Sequence, residues 1–185
     1  MKDSSYQDNP TDDISILENE IQRLTDLIKK EPSVAEHYYQ RGVFYGQLNY
    51  PLAAIQDFGQ VIVLDSNNAE AYYNRGIAHV HLKEHLAAIH DFSNAIEINP
   101  AHVDAYNNRA ASFYDLDKPL KSIEDANEAI KLNQQIPSSY AIRAIANRYV
   151  GNEEEALADA EKAKALGFDG HLLYHLMWQA RLRSR

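Results

Sequence analysis

The chain has 185 residues, 27 of them acidic against 18 Lys and Arg, for a formal charge of −9 and a pI near 5.3. That balance repels phosphate backbones and argues against general nucleic-acid binding. With no cysteine, disulfides, thiolate zinc sites and thiol nucleophiles are excluded.

Residues 1–11, the start of MKDSSYQDNPTDD, are polar and charged and read as a disordered tail with no signal-peptide core. No run of about 18 apolar residues follows, so no membrane span is expected and the chain reads as cytoplasmic. Residues 12–34 open with acids that suit a helix N-terminus. Ile14, Leu17, Ile21, Leu24 and Ile28 then recur three and four apart, along one helical stripe.

From there the text repeats. Units run 35–68, 69–102, 103–136 and 137–170, each 34 residues after the last. Each reads as two amphipathic helices joined by a tight turn. Position four holds Tyr38, Tyr72, Tyr106 and Tyr140, and position eight Gly42, Gly76, Ala110 and Ala144. Position twenty holds Ala54, Ala88, Ser122 and Ala156, and position twenty-four Phe58, Phe92, Ala126 and Ala160. Pro51 and Pro119 stand in the first turn of a second helix, where a missing N–H costs nothing. Pro32 shares the register of Pro100, so 12–34 reads as an N-terminal half-repeat helix. Residues 171–185 read as a capping helix with a basic tail.

Arg recurs at position seven (Arg41, Arg75, Arg109, Arg143) and Asp at position twenty-three (Asp57, Asp91, Asp125, Asp159). Four copies in step imply contact. Pairing across units would set Arg41 against Arg23 and leave Asp159 facing Met177, so each Arg is expected to meet the Asp of its own unit.

These positions resemble the tetratricopeptide repeat, a large aromatic, Gly, Ala, Phe and Pro pattern at this period. The resemblance implies an all-α fold, an α-solenoid in which antiparallel helix pairs wind into a right-handed superhelix. It covers the chain from about residue 12 onwards. Departures are Tyr at position four, Ser66, Gln134 and Phe168 where a closing Pro belongs, and Ala126 and Ala160 for Phe.

By the same resemblance, positions two, five, six, nine, twelve and thirteen line a concave groove. The first unit supplies Glu36, Tyr39 and Gln40, with Val43, Gly46 and Gln47 beyond them. The second supplies Glu70, Tyr73, Asn74, Ile77 and His81, and the third Asp104, Asn107, Asn108 and Tyr114. The fourth adds Arg148 and Tyr149. Gln40, Asn74 and Asn108 form an amide row, suited to pairing with a peptide backbone because an amide both donates and accepts. The clamp with which co-chaperones hold heat-shock chaperone C-termini is not reproduced. Its places read Tyr39, Val43, Asn74, Asp104 and Asn108, one match in five, with an acid where a lysine belongs.

Catalytic chemistry has no foothold. His171 and His175 share a helix face at zinc-ligand spacing, but HLLYH lacks the glutamate of a metalloprotease helix and no third ligand is recognisable. No cofactor or metal is expected. The residues therefore describe a non-catalytic adaptor gripping an extended protein or peptide partner, neutral or basic, in its groove. The alternative is an assembly protein that self-associates, for example as a homodimer, through its C-terminal helix. There Tyr174 and Trp178 would stand bare for want of a following helix.

Overall fold

The computed structural model describes residues 10–183, with side chains from residue 14 onwards. Most of the expected tail, residues 1–9, lies outside the described residues. The elements are α1 (Pro10–Lys30), α2 (Ala35–Gln47), α3 (Pro51–Leu64), α4 (Ala69–His81) and α5 (His85–Ile98). They continue as α6 (Val103–Asp115), α7 (Pro119–Leu132), α8 (Pro137–Val150), α9 (Glu153–Ala165) and α10 (Gly170–Arg183). The chain is an all-α solenoid. Helices pair as α2/α3, α4/α5, α6/α7 and α8/α9, and each pair stacks on the next.

Each pair is closed by a residue in the left-handed region at position fifteen. Asn49, Lys83 and Asp117 have φ of 59°, 59° and 55°, and Gly151 has 89°. Only the glycine adopts this conformation without steric cost.

Close helix contact explains the small residues at position eight. A Cβ at Gly76 would lie 2.6 Å from the Phe92 ring, and one at Gly42 would lie 3.0 Å from Phe58. Glycine lets the phenyl ring slide under the first helix, and Phe92 is wholly buried as a result. In the next two pairs the exchange is reciprocal. Ala110 faces the register of Ala126 and Ala144 that of Ala160, and all four are wholly buried. A methyl on each helix takes the place of a ring on one.

The Arg–Asp pairing is within the unit, as expected. Arg41 Nε and Nη2 donate to the two carboxylate oxygens of Asp57 at 2.8 and 2.7 Å, and the geometry recurs for Arg75–Asp91, Arg109–Asp125 and Arg143–Asp159. Each guanidinium also lies over its own unit's position-four tyrosine, 5.5–5.9 Å from the ring centroid. A further hydrogen bond escaped the sequence reading. The remaining nitrogen reaches back to position twenty-five of the preceding unit: Arg41 to Thr25 Oγ1, Arg109 to Ser93 Oγ, Arg143 to Asn127 Oδ1. The second unit finds Gly59 in that register and makes no such bond. Bidentate pairing with the carboxylate fixes helix orientation within a pair, and the back-bond ties one pair to the one before.

Thr25 occupies the same register in α1, and α1 packs on α2 as a preceding second helix would. The other end departs from the repeat. The first helix of a fifth unit would stack on α9 as α4 stacks on α3, yet α10 lies chiefly along α8. Leu173, Met177 and Ala180 are buried there against Tyr140, Ala141, Ala144 and Ile145. The reason is in the side chains. The α9 sequence, EEEALADAEKAKA, offers little beyond alanine, whereas α8 presents Tyr140 and Ile145. Trp178 is also too large for a position that elsewhere holds Gly or Ala.

Candidate functional site

The concave face is built by α2, α4, α6 and α8. Successive first helices are joined across it by hydrogen bonds. Asn74 Nδ2 donates to Tyr39 Oη at 3.1 Å and to the Glu70 carbonyl at 2.9 Å. One unit on, Asn108 Nδ2 donates to Tyr73 Oη at 3.2 Å and to the Asp104 carbonyl at 2.9 Å. Asn74 and Asn108 therefore spend both N–H groups on the fold. Oδ1 is the amide atom that Asn74 and Asn108 do not use within these contacts. Gln40 turns instead to Glu36, donating from Nε2 at 2.6 Å.

The ladder ends at the third unit. Position five there is Asn107 and position six of the fourth is Ile142, which has nothing to donate. Both side-chain amide atoms of Asn107 are buried without a hydrogen-bond partner.

Burial pushes the Tyr73 hydroxyl up to about 12, with the Asp104 and Glu70 carboxylates adding to the shift and the Asn108 hydrogen bond opposing it. Tyr39 is raised for the same leading reason. The imidazole of His102, 8 % exposed, packs 4.6 Å from the Tyr73 ring. Its Nδ1 accepts the Ala105 N–H at 3.4 Å, at the start of α6.

Between α2 and α4 lies a hollow of about 290 Å³. Its floor is Gly42, Val43, Ala54, Phe58, Ile77 and Ala78, and Gln47, Asn74 and His81 stand at its rim. At the far end the concave face is closed by the chain itself. Ala141 and Ile145, at groove positions of α8, are 2 % and 7 % exposed beneath α10. Arg183 donates to Asp117 at 2.9 Å and lies over the Tyr114 ring at 5.2 Å. Tyr114 and Tyr149 meet nearly edge to face, with ring centroids 6.0 Å apart.

The structure thus brings Glu36, Tyr39, Gln40, Glu70, Tyr73, Asn74, Ile77, His81, Asp104, Asn107 and Asn108 onto α2, α4 and α6, and joins Tyr114 to Tyr149. Arg148 turns elsewhere. It pairs with Glu153 at 2.6 Å and lines a second hollow, of about 500 Å³, with Leu157, Tyr174, Trp178 and Leu182. There Trp178 is 58 % exposed, while Tyr174 Oη donates to Glu161 at 2.6 Å. Among the described residues no group of three or more His, Cys, Asp or Glu side chains is placed to hold a metal ion. His175 Nε2 lies 2.9 Å from Gln179 Nε2. Nor is any described helix long and apolar enough to cross a membrane.

Comparison with known proteins accords with this geometry. A family model described as the tetratricopeptide repeat matches residues 69–102, and another for the same repeat matches 53–83. No curated protein matches the chain. Among solved structures, a crystal structure of MamA is 27 % identical with a TM-score of 0.76, covering 79 % of this chain and 85 % of that one. MamA from Desulfovibrio magneticus RS-1 is 20 % identical at a TM-score of 0.73, covering 83 % and 94 %. YrrB, described as a TPR protein with an unusual peptide-binding site, is 17 % identical at 0.69, covering 88 % and 92 %. The last two likenesses speak to the fold alone.

Proposed function

The chain is a tetratricopeptide-repeat protein, and from that premise we propose that it is a non-catalytic adaptor whose concave face over α2, α4 and α6 takes an extended, neutral or basic peptide. The repeat is that of a protein–protein interaction module. The ligand class is read from charge. Position two of α2, α4 and α6 projects Glu36, Glu70 and Asp104 into solvent, and no groove position of these units carries Lys or Arg. The four repeat arginines do not alter this balance, being matched by their own aspartates. A carboxylate ligand would meet repulsion, and a cationic one would be drawn in.

The test is binding of labelled Lys-rich and Glu-rich peptides, followed by fluorescence anisotropy. Binding of the Lys-rich set is expected, weakening as salt rises, and weakening further in Glu36→Lys/Glu70→Lys/Asp104→Lys. Preference for the Glu-rich set would overturn the proposal.

The hollow beside α10 supports a second reading, association of two copies through this helix. Trp178, Leu157 and Leu182 are each about half exposed around it, at 58 %, 50 % and 48 %. Sedimentation of the wild type beside Trp178→Ser decides it. A concentration-dependent dimer lost on substitution is expected, and a strict monomer in both ends the idea.

A further inference from the structure

Glycine at position twelve of the first unit is not explained by the fold. The corresponding residues are Val80, Tyr114 and Arg148, and in α2 the position is Gly46. Its backbone is helical and does not require φ above zero, the usual reason for glycine. A Cβ there would meet nothing within 4 Å, in contrast to Gly42 and Gly76, where it would strike a phenyl ring. Glycine in a helix also costs stability relative to alanine. It lines the hollow between α2 and α4, at a point where the next two units present a valine and a tyrosine.

That hollow has the chemistry of an anchor. Its floor is apolar, formed by Val43, Phe58, Ile77 and Ala78, while Gln47, Asn74 and His81 supply polar atoms at the mouth. Its volume of about 290 Å³ lies at the lower limit of ligand pockets, which run from about 300 to 1,000 Å³, so it suits one side chain better than a whole small molecule. Asn74 has both N–H groups engaged, to Tyr39 and Glu70, and so presents Oδ1 as an acceptor at the rim. A peptide N–H can be received there while its own side chain turns inward. Glu36 and Glu70, exposed on the same two helices one to two turns N-terminal of the hollow's lining, favour positive charge a few residues along the peptide from the anchored one.

We propose that this hollow is the specificity pocket of the groove, receiving one leucine- or methionine-sized side chain of a peptide that carries Lys or Arg a few residues away. The proposal rests on the groove reading above and adds the residue that determines which peptides bind. A glutamate at the anchor position is excluded by the apolar floor, and an alanine leaves the floor uncovered.

The experiment uses labelled peptides of Lys and Ser carrying Leu, Ala or Glu at the centre, titrated against the full chain by anisotropy. The Leu peptide is expected to bind about tenfold or more tightly than the Ala peptide, and the Glu peptide weakest. Gly46→Val, which supplies the side chain of the second unit at this register, should remove the Leu preference while leaving the melting temperature unchanged or higher. Methyl NMR shifts of Val43 and Ile77 on adding the Leu peptide to wild-type protein give a readout independent of the variant's folding. Equal binding of Leu and Ala peptides would overturn the anchor but leave the groove standing. Absence of binding by all three would overturn both. A folded Gly46→Val chain that retains the Leu preference would place the anchor elsewhere and end the proposal.

Discussion

The first two helix pairs and the last two carry the same repeat text and end with opposite surfaces. In α2–α5 a glycine faces a phenylalanine, tyrosines of one unit receive hydrogen bonds from asparagines of the next, and the concave face stays open. In α6–α9 alanine faces alanine, the ladder stops at Asn107, and α10 covers the groove side of α8. The Arg–Asp–Tyr arrangement is constant through both halves. Helix orientation is thus fixed by residues that do not vary, while the concave face is free to change from unit to unit.

The largest expected effect concerns the two packing solutions. Phe92→Ala should cost about 3–5 kcal/mol, because a wholly buried ring leaves a cavity. Gly76→Ala alone should cost about 1–3 kcal/mol from the clash with that ring. Together they recreate the Ala–Ala pair of the later units, so the double variant should be more stable than the sum predicts, by about 1 kcal/mol or more. Urea denaturation of the four proteins measures this. Strict additivity would mean the two halves do not differ in the way described.

Next comes the constant element. Arg75→Leu leaves Asp91, 2 % exposed, without its bidentate partner and with only the His79 and His90 imidazoles 3.7 Å away, and a loss of about 3 kcal/mol is expected. Arg109→Leu removes the Ser93 bond as well and should cost somewhat more. Replacing both Arg75 and Asp91 by leucine should be milder than Arg75→Leu. Thermal unfolding monitored by circular dichroism ranks them.

A pH titration separates the open half from the closed one. Tyr73 is charged when deprotonated, and its hydroxyl is raised from 10.0 to about 12 in the fold. Its contribution is therefore fully present below pH 10 and is lost as pH climbs through about 12, the unfolded chain releasing the proton first. Tyr114 is also raised by burial, but the Arg183 guanidinium pulls it back. Tyr73→Phe should therefore flatten the alkaline loss of stability more than Tyr114→Phe does. Equal effects would show that the Arg183 contact does not persist in solution.

The smallest expected effect is a gain. Gly59→Ser gives Arg75 the hydroxyl that Ser93 gives Arg109, and replaces a helical glycine whose added Cβ would lie 3.7 Å from the Arg75 guanidinium. Stability should rise by about 0.5–1.5 kcal/mol. An unchanged denaturation midpoint would mean that the back-bond adds nothing net.

Much was legible in the residues. A period of 34, with Gly or Ala at position eight in every unit, announces stacked helix pairs, because helices that touch closely need a small residue at the contact. Intra-unit Arg–Asp pairing followed from the ends of the array, where the other choice sets like charges together. The acids at position two of the first helices, Glu36, Glu70 and Asp104, could be read from the repeat, and they are exposed.

What the chain alone did not disclose depends on contacts between units and on the departures from period. Position twenty-five reads as Thr25, Gly59, Ser93 and Asn127, too varied to signal that three of the four receive an arginine N–H. That Asn74 and Asn108 spend both N–H groups internally depends on how far a tyrosine of the preceding unit reaches, which register does not specify. The displacement of α10 onto α8 is a competition between two apolar surfaces, and only packing resolves it. The hollow above Gly46 is an absence of atoms. A sequence records which side chain is missing, but the neighbours that could have filled the space, and do not, are defined only when the helices are set side by side.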